Sequence, residues 1–226
     1  MGYSLRNILT VICLQFLINL LTIAGPGHAQ CPPIIKFYTD RIAWNNLSYE
    51  TKNFFATIKV DIHLEILTAK ESKKTLIPIP ENTTSHTSSF KTLTITVQSV
   101  INPFIGPTDY IQNQAWYGLE NATALQRIRQ RQNKNDWQKT YLFTDNGVSR
   151  LRKKPNNPTE INLPIELWTN IEKSFYPYDL NNIEHSSVLE PSALMILVSL
   201  VDFSIGSEPL NLCVFNKKQQ IGRAHV

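Results

Sequence analysis

Three arginines at every second position, Arg127, Arg129 and Arg131, form the most chemically pointed spacing in this 226-residue chain. Side chains two residues apart on a β-strand share a face, so the three guanidinium groups would project from one surface. A second basic run with the same spacing, Arg150, Arg152 and Lys154, follows the turn signal Asp145-Asn146-Gly147. If Asn146-Gly147 makes a two-residue hairpin turn, Phe143 faces Arg150, Tyr141 faces Arg152 and Lys139 faces Lys154. Arginine and aromatic side chains then interleave on one surface, with Leu142 and Leu151 paired on the other. Such a face can grip phosphate or carboxylate oxygens through bidentate bonds and stack its cations on rings. The competing reading is a solvated outer face whose long side chains shield the sheet. A three-residue turn would shift the pairing by one and part the aromatics from the arginines.

Other chemistry is sparse. His63 and Glu65 are two residues apart on one strand, the arrangement of a base oriented by a carboxylate, although a solvated strand face has the same pattern. His86 and His185 lie in polar stretches without neighbouring ligands. No GxSxG elbow or SxxK pair occurs, no phosphate-cradling glycine loop, and no Cys/His spacing suited to a metal. The expectation is a protein with no catalytic residues, no metal and no cofactor, leaning away from enzyme.

The elements that would position the basic face are mostly strands. Residues 54–67 alternate strictly, with Phe54, Ala56, Ile58, Val60, Ile62, Leu64 and Ile66 on one side, as a half-buried strand does. Residues 90–101 repeat the pattern. Lys70–Ser89, with Pro78 and Pro80, reads as a loop with at most a short edge strand, and Asn102–Thr108 as another loop. Asn121–Gln132, Trp137–Thr144 and Val148–Lys154 form an antiparallel meander. Pro164 fits a first helical turn, with Ile165, Leu167, Trp168, Ile171 and Phe175 marking a helical apolar face. A second helix is expected over Ser192–Val201, apolar nearly all round and so buried, and a strand over Leu210–Phe215. The sum is an α+β fold, a mainly antiparallel curved sheet of half-barrel form with one or two helices packed on its concave face.

The chain ends carry signals of another kind. Arg6, the apolar run Ile8–Ala24 and the small residues Gly27 and Ala29 have the layout of a signal peptide, residues 1–29, cut before Gln30. The run is short for a membrane span and contains Gln15 and Asn19. Cys31 follows the cut, but Gln30 before it does not suit lipid attachment. The last six residues, 221–226, can be encoded by a widely used sequencing-adapter oligonucleotide, so native sequence is expected to stop near Gln219 or Gln220 and a single exported domain, 30–220, to be truncated at its C-terminus. Without Arg6 and Arg223 the formal charge falls from +4 to +2. It is unevenly spread: residues 122–154 hold nine Lys/Arg against Asp136 and Asp145. After export, Cys31 and Cys213 become candidates for a disulfide, the alternative being two unrelated thiols.

The segments Trp137–Phe143, Asp145–Arg152 and Leu212–Phe215 resemble those of exported bacterial proteins to which no activity is assigned. In outline the chain is similar to envelope β domains of the lipoprotein-carrier type. That resemblance implies a periplasmic or secreted protein whose curved sheet wraps helices around an apolar cavity, binding a lipid, an anionic envelope component or an envelope partner. It implies no residue roles. Nucleic acid is a poor partner for an exported protein, and no transmembrane segment is expected once the signal is cut. A small exported hydrolase and a purely structural envelope domain are the alternatives. Resequencing the locus tests the truncation: an open frame should continue past Gln220, and a stop codon after Val226 would refute it.

Overall fold

In a computed structural model of the chain, residues 39–78, 91–119, 122–133, 135–178, 189–198, 211–216 and 220–225 are described. The alternating segments pair with their neighbours in sequence, the arrangement that short turns between antiparallel strands favour. Eight strands result: β1 (Asn46–Lys52), β2 (Ala56–Leu67), β3 (Thr92–Pro103), β4 (Asp109–Gly118), β5 (Ala124–Gln132), β6 (Trp137–Thr144), β7 (Gly147–Lys154) and β8 (Asn170–Pro177). They lie in the order β1 to β8, all antiparallel, in one curved sheet that does not close into a barrel. A short helix α1 (Ala69–Thr75) follows β2, and α2 (Ala193–Val198) leads to a two-stranded sheet of β9 (Asn211–Asn216) and β10 (Gln220–His225).

The core sits on the concave face. Ile62, Leu64, Leu93, Ile95, Tyr117, Phe143 and Val148 from the sheet pack with Leu189, Ala193, Ile196 and Leu197 of the α2 segment. Helix α2 is apolar nearly all round because sheet and strand β9 enclose it. Phe215 of β9 lies edge-on to Tyr141, Phe143 and Tyr176 at 6.1, 5.8 and 5.8 Å, and its backbone N–H donates to the Leu189 carbonyl at 2.8 Å. The apolar hollow between sheet and helix is therefore filled by the chain's own side chains at this end.

Three expectations need correction. Lys70–Thr75 is helix rather than loop, started by a reciprocal cap in which Glu71 N–H donates to Thr68 Oγ1 and Thr68 N–H to Glu71 Oε2. Helix α1 lies against the opposite face, where Ser72 bonds Thr92 at 2.8 Å and the Ile77 N–H donates to Gln126 Oε1 at 2.8 Å. Strands β1 and β4 also extend the sheet beyond the expected segments.

The helix expected after Pro164 is instead a single 3-10 turn, Ile165–Leu167, followed by β8. The cause is Glu160, whose buried carboxylate accepts from Asn156 N–H, Thr169 N–H and the Thr169 hydroxyl at 2.9, 3.0 and 2.7 Å. Those bonds hold its pKa below the ordinary carboxylate value and set Thr169 beside the end of β7. From there the chain pairs with β7, and Ile171 and Phe175 fall on the exposed side.

The β6–β7 turn is the third difference. Thr144 pairs with Gly147, so Asp145 and Asn146 form the two-residue loop. Gly147 is required there: at φ +155° an added Cβ would meet the Tyr176 carbonyl oxygen, with Phe175 Cζ at 2.7 Å and Pro177 Cα at 2.8 Å. Gly147→Ala should therefore cost roughly 2–4 kcal/mol of stability by prising β8 from β7. An unchanged urea midpoint would contradict the close approach.

Candidate anion-binding face

Register across the sheet shows what the arginines share. Residues directly opposite in an antiparallel pair face the same side, so successive cross-strand pairs link into rows. One row on the concave face runs Leu47, Ile62, Val97, Asn113, Arg129, Lys139, Arg152 and Glu172. The next, toward the core, runs Leu64, Ile95, Ala115, Arg127, Tyr141, Arg150 and Ser174. Both rows are apolar on β2 and β3; over β5 to β7 the first is cationic throughout and the second sets Arg127 and Arg150 on either side of Tyr141. Arg131 and Lys154 continue the cationic half toward the free end of the sheet.

All six predicted anion-binding residues thus share one face, with aromatic rings among them. The face is the concave one, not a solvated outer surface. The turn shifts the pairing by two residues from the expected one: Tyr141 faces Arg150, Lys139 faces Arg152 and Phe143 faces Val148. A shift of two preserves the face, so the interleaving survives. Leu142 faces Ser149 and Leu151 faces Thr140, rather than each other. Arg127 lies over Tyr141 at 5.8 Å, Arg129 over Trp137 at 5.7 Å, and Lys139 Nζ over the same Trp137 ring at 4.1 Å.

The cations are not equivalent. Arg127 meets Glu190, which sits just before α2 and is 0% exposed, at 2.8 Å; Arg127's own side chain is 12% exposed. Tyr117 donates to the other oxygen of Glu190 at 2.5 Å, as does the Ser192 N–H at 2.7 Å. Burial first, and then the Glu190 charge, push the Tyr117 phenol well above its ordinary pKa, so it stays a donor. Asn113 completes the network, accepting from Arg127 Nε and donating to Ser192 Oγ, both at 2.6 Å. Arg131 grips Asp109 with two nitrogens at 2.9 and 2.6 Å, and this bond holds its pKa above the ordinary value. Arg150 and Arg152 share Glu172.

Arg129 differs. Among the described residues no carboxylate pairs with it; its buried Nε has no acceptor there, as is true of Arg150 and Arg152 Nε. Burial, then the neighbouring Arg127 charge, lowers its pKa from the ordinary arginine value. Of the described residues on this half of the face, Arg127, Arg129, Arg131, Lys139, Arg150, Arg152 and Lys154 stand against Asp109, Glu172 and Glu190. The excess, Arg129 included, is four positive charges, and the Arg129 Nε donor among them is unmet. An oxyanion would answer both.

The remaining candidates are not drawn together. His63 and Glu65 are exposed on the opposite face. His63 Nδ1 bonds Asn46 Oδ1 at 2.7 Å, while Ser48 donates to Asp61 at 2.6 Å, so no hydroxyl–imidazole–carboxylate relay forms. His86, His185 and Cys31 lie outside the described residues, and with Cys31 the proposed bridge to Cys213. Among the described residues no group of three or more His, Cys, Asp or Glu could hold a metal, and no helix is long and apolar enough to cross a membrane. Glu190, Asn113 and Ser192 escaped the sequence reading because no spacing links them to the arginines; only the buried, unpatterned Glu before an apolar helix hinted at a partner.

No family model, curated protein or solved structure matches the chain.

The Glu190 network makes a stability prediction. Glu190→Ala strands a buried Arg127 charge and should cost about 3–5 kcal/mol in urea denaturation. Replacing both partners with Arg127→Met and Glu190→Leu should cost less than the Glu190→Ala change alone. Equal or additive losses would show that the two side chains do not act as a pair.

Proposed function

We propose that this chain is an exported, non-enzymatic binding protein that holds an anionic amphiphile on the concave face of its sheet, in the periplasm or outside the cell. The observation that carries the reading is the row through Arg129, apolar on β1–β3 and cationic on β5–β7. An acyl chain lies against the first half and loses water there; a phosphate or carboxylate head lies against the second. Val60, Val97, Ile101 and Ile111 remain half-buried on the apolar side, so surface is left for a ligand beyond the part that α2 fills.

Arg129 is the expected anchor. Its charge is partly removed from water and, among the described residues, unmatched, so a bidentate oxyanion gains attraction at little further desolvation cost. Arg152, Lys139 and Lys154 flank it. Arg127 is already committed to Glu190 and Arg131 to Asp109, so they contribute field rather than contact. The layout of the N-terminal signal supports export, and the resemblance to carrier-type envelope domains supports a ligand with a long apolar part. A hydrolase would need a nucleophile and base in contact, and the bonds around His63 do not supply them.

Three probes test this by calorimetry: dodecyl phosphate, dodecyl maltoside with the same tail and a neutral head, and inorganic phosphate. Dodecyl phosphate should bind at least about tenfold more tightly than either of the others, and Arg129→Ser should lose roughly tenfold or more, as expected for a desolvated charged contact. Equal binding of the maltoside, or an indifferent Arg129→Ser, would sink the proposal.

A further inference from the structure

Four large apolar side chains stand in water at one end of the sheet. Phe54 and Phe55 in the β1–β2 turn are 85% and 76% exposed, and Phe104 and Ile105 in the β3–β4 turn are 61% and 93% exposed. Neither turn is loose. Asn53 Oδ1 accepts from both the Phe55 and Ala56 N–H groups at 2.9 and 2.8 Å. The Phe104 N–H donates to the Phe55 carbonyl at 3.0 Å, tying one tip to the other. Thr108 braces the second turn by donating to Asn102 at 2.8 Å, and the Phe54 and Phe55 rings meet edge-on at 5.4 Å. The backbone is thus ordered while these side chains stay largely in water.

We infer that these two joined hairpin tips are a membrane-docking site that inserts Phe54, Phe55, Phe104 and Ile105 into the interface of a lipid bilayer. Shape argues for lipid over protein. A stable protein interface takes about 20–30 residues a side in a broad patch, whereas this surface is two narrow protrusions. A bilayer interface accepts such protrusions, and rings and aliphatic groups reach the boundary between head groups and acyl chains. Charge at this end is balanced, Lys52, Lys153 and Lys154 against Asp136, Glu160 and Glu166, with Arg131 and Asp109 neutralising each other, so the attraction comes from the apolar tips.

The site is separate from the concave face, yet strand direction relates the two. Strands β1, β3, β5 and β7 all end on the side of the tips. Insertion would therefore turn the open cationic end of the concave face, away from α2, toward the membrane.

Flotation with vesicles tests the inference, using protein recovered from an exporting host. Wild type should float both with phosphatidylcholine–phosphatidylglycerol vesicles and with phosphatidylcholine alone. Phe54→Ser/Phe55→Ser/Ile105→Ser should lower partition by at least about tenfold, with the thermal midpoint and dodecyl phosphate affinity unchanged because none of these residues is buried or on the concave face. Ile105→Trp should keep wild-type flotation and shift its added fluorescence to the blue on vesicles. Failure of wild type to float with either composition, or wild-type flotation by the triple variant, would overturn the site. So would a triple variant that changes sedimentation but not flotation, which would mark a protein contact. Loss of dodecyl phosphate binding by Arg129→Ser with flotation intact would separate the two sites.

Discussion

A carboxylate with no access to water must be neutralised where it lies, and Glu190 is neutralised by Arg127 and Tyr117 on the sheet. Much of the architecture follows from that demand. The segment carrying Glu190 leads into α2, so the ion pair fixes where the helix enters the concave face. The Ser192 N–H donates to Glu190, and Asn113 links Arg127 to the Ser192 hydroxyl. The apolar packing of α2 is worth more in area than the pair is in charge, because an ion pair taken from water recovers little net stability. What the pair adds is selection: an apolar helix could slide along an apolar sheet, whereas a buried charge has one satisfactory position.

The same pair shapes the rest of the basic face. By taking Arg127 out of service it separates a structural cation from the ones that remain open. Arg131 is likewise held by Asp109, and Arg150 with Arg152 by Glu172. Arg129 sits at the centre of these bonds without a carboxylate among the described residues. A face that looks uniformly basic in sequence therefore has one focus. Its neighbours supply field, and the aromatic rings of Trp137 and Tyr141 hold the guanidinium groups in place.

How much of this was legible before the fold is best judged residue by residue. The alternation of Ile58, Val60, Ile62 and Leu64 reported a strand with one buried face, and β2 is that strand. The period-two arginines reported a shared face, and they share it. Pairing across β6 and β7 was misread by two residues, because Gly147 fits the close approach of β8 rather than the turn itself. The Thr68-x-x-Glu71 signature of α1 is present in the sequence, but the prolines that follow it point to a loop. Residues 164–177 have helical spacing yet form a 3-10 turn and then strand β8, since Glu160 fixes the chain's entry beside β7 and pairing with the edge of β7 outweighs a marginal helix propensity.

Sequence by itself determined which residues lie together on a face, because strand periodicity is a property of neighbouring peptide units and needs no knowledge of the fold. It determined the clustering of charge between residues 122 and 154 for the same reason. Which side of the sheet that face occupies was decided only in three dimensions. The arginines line the concavity rather than the outside because Glu190, some sixty residues away in sequence, needs a cation at the place where α2 packs. Long-range neutralisation of a buried charge leaves no periodic trace in a chain, so only the tertiary structure could reveal it.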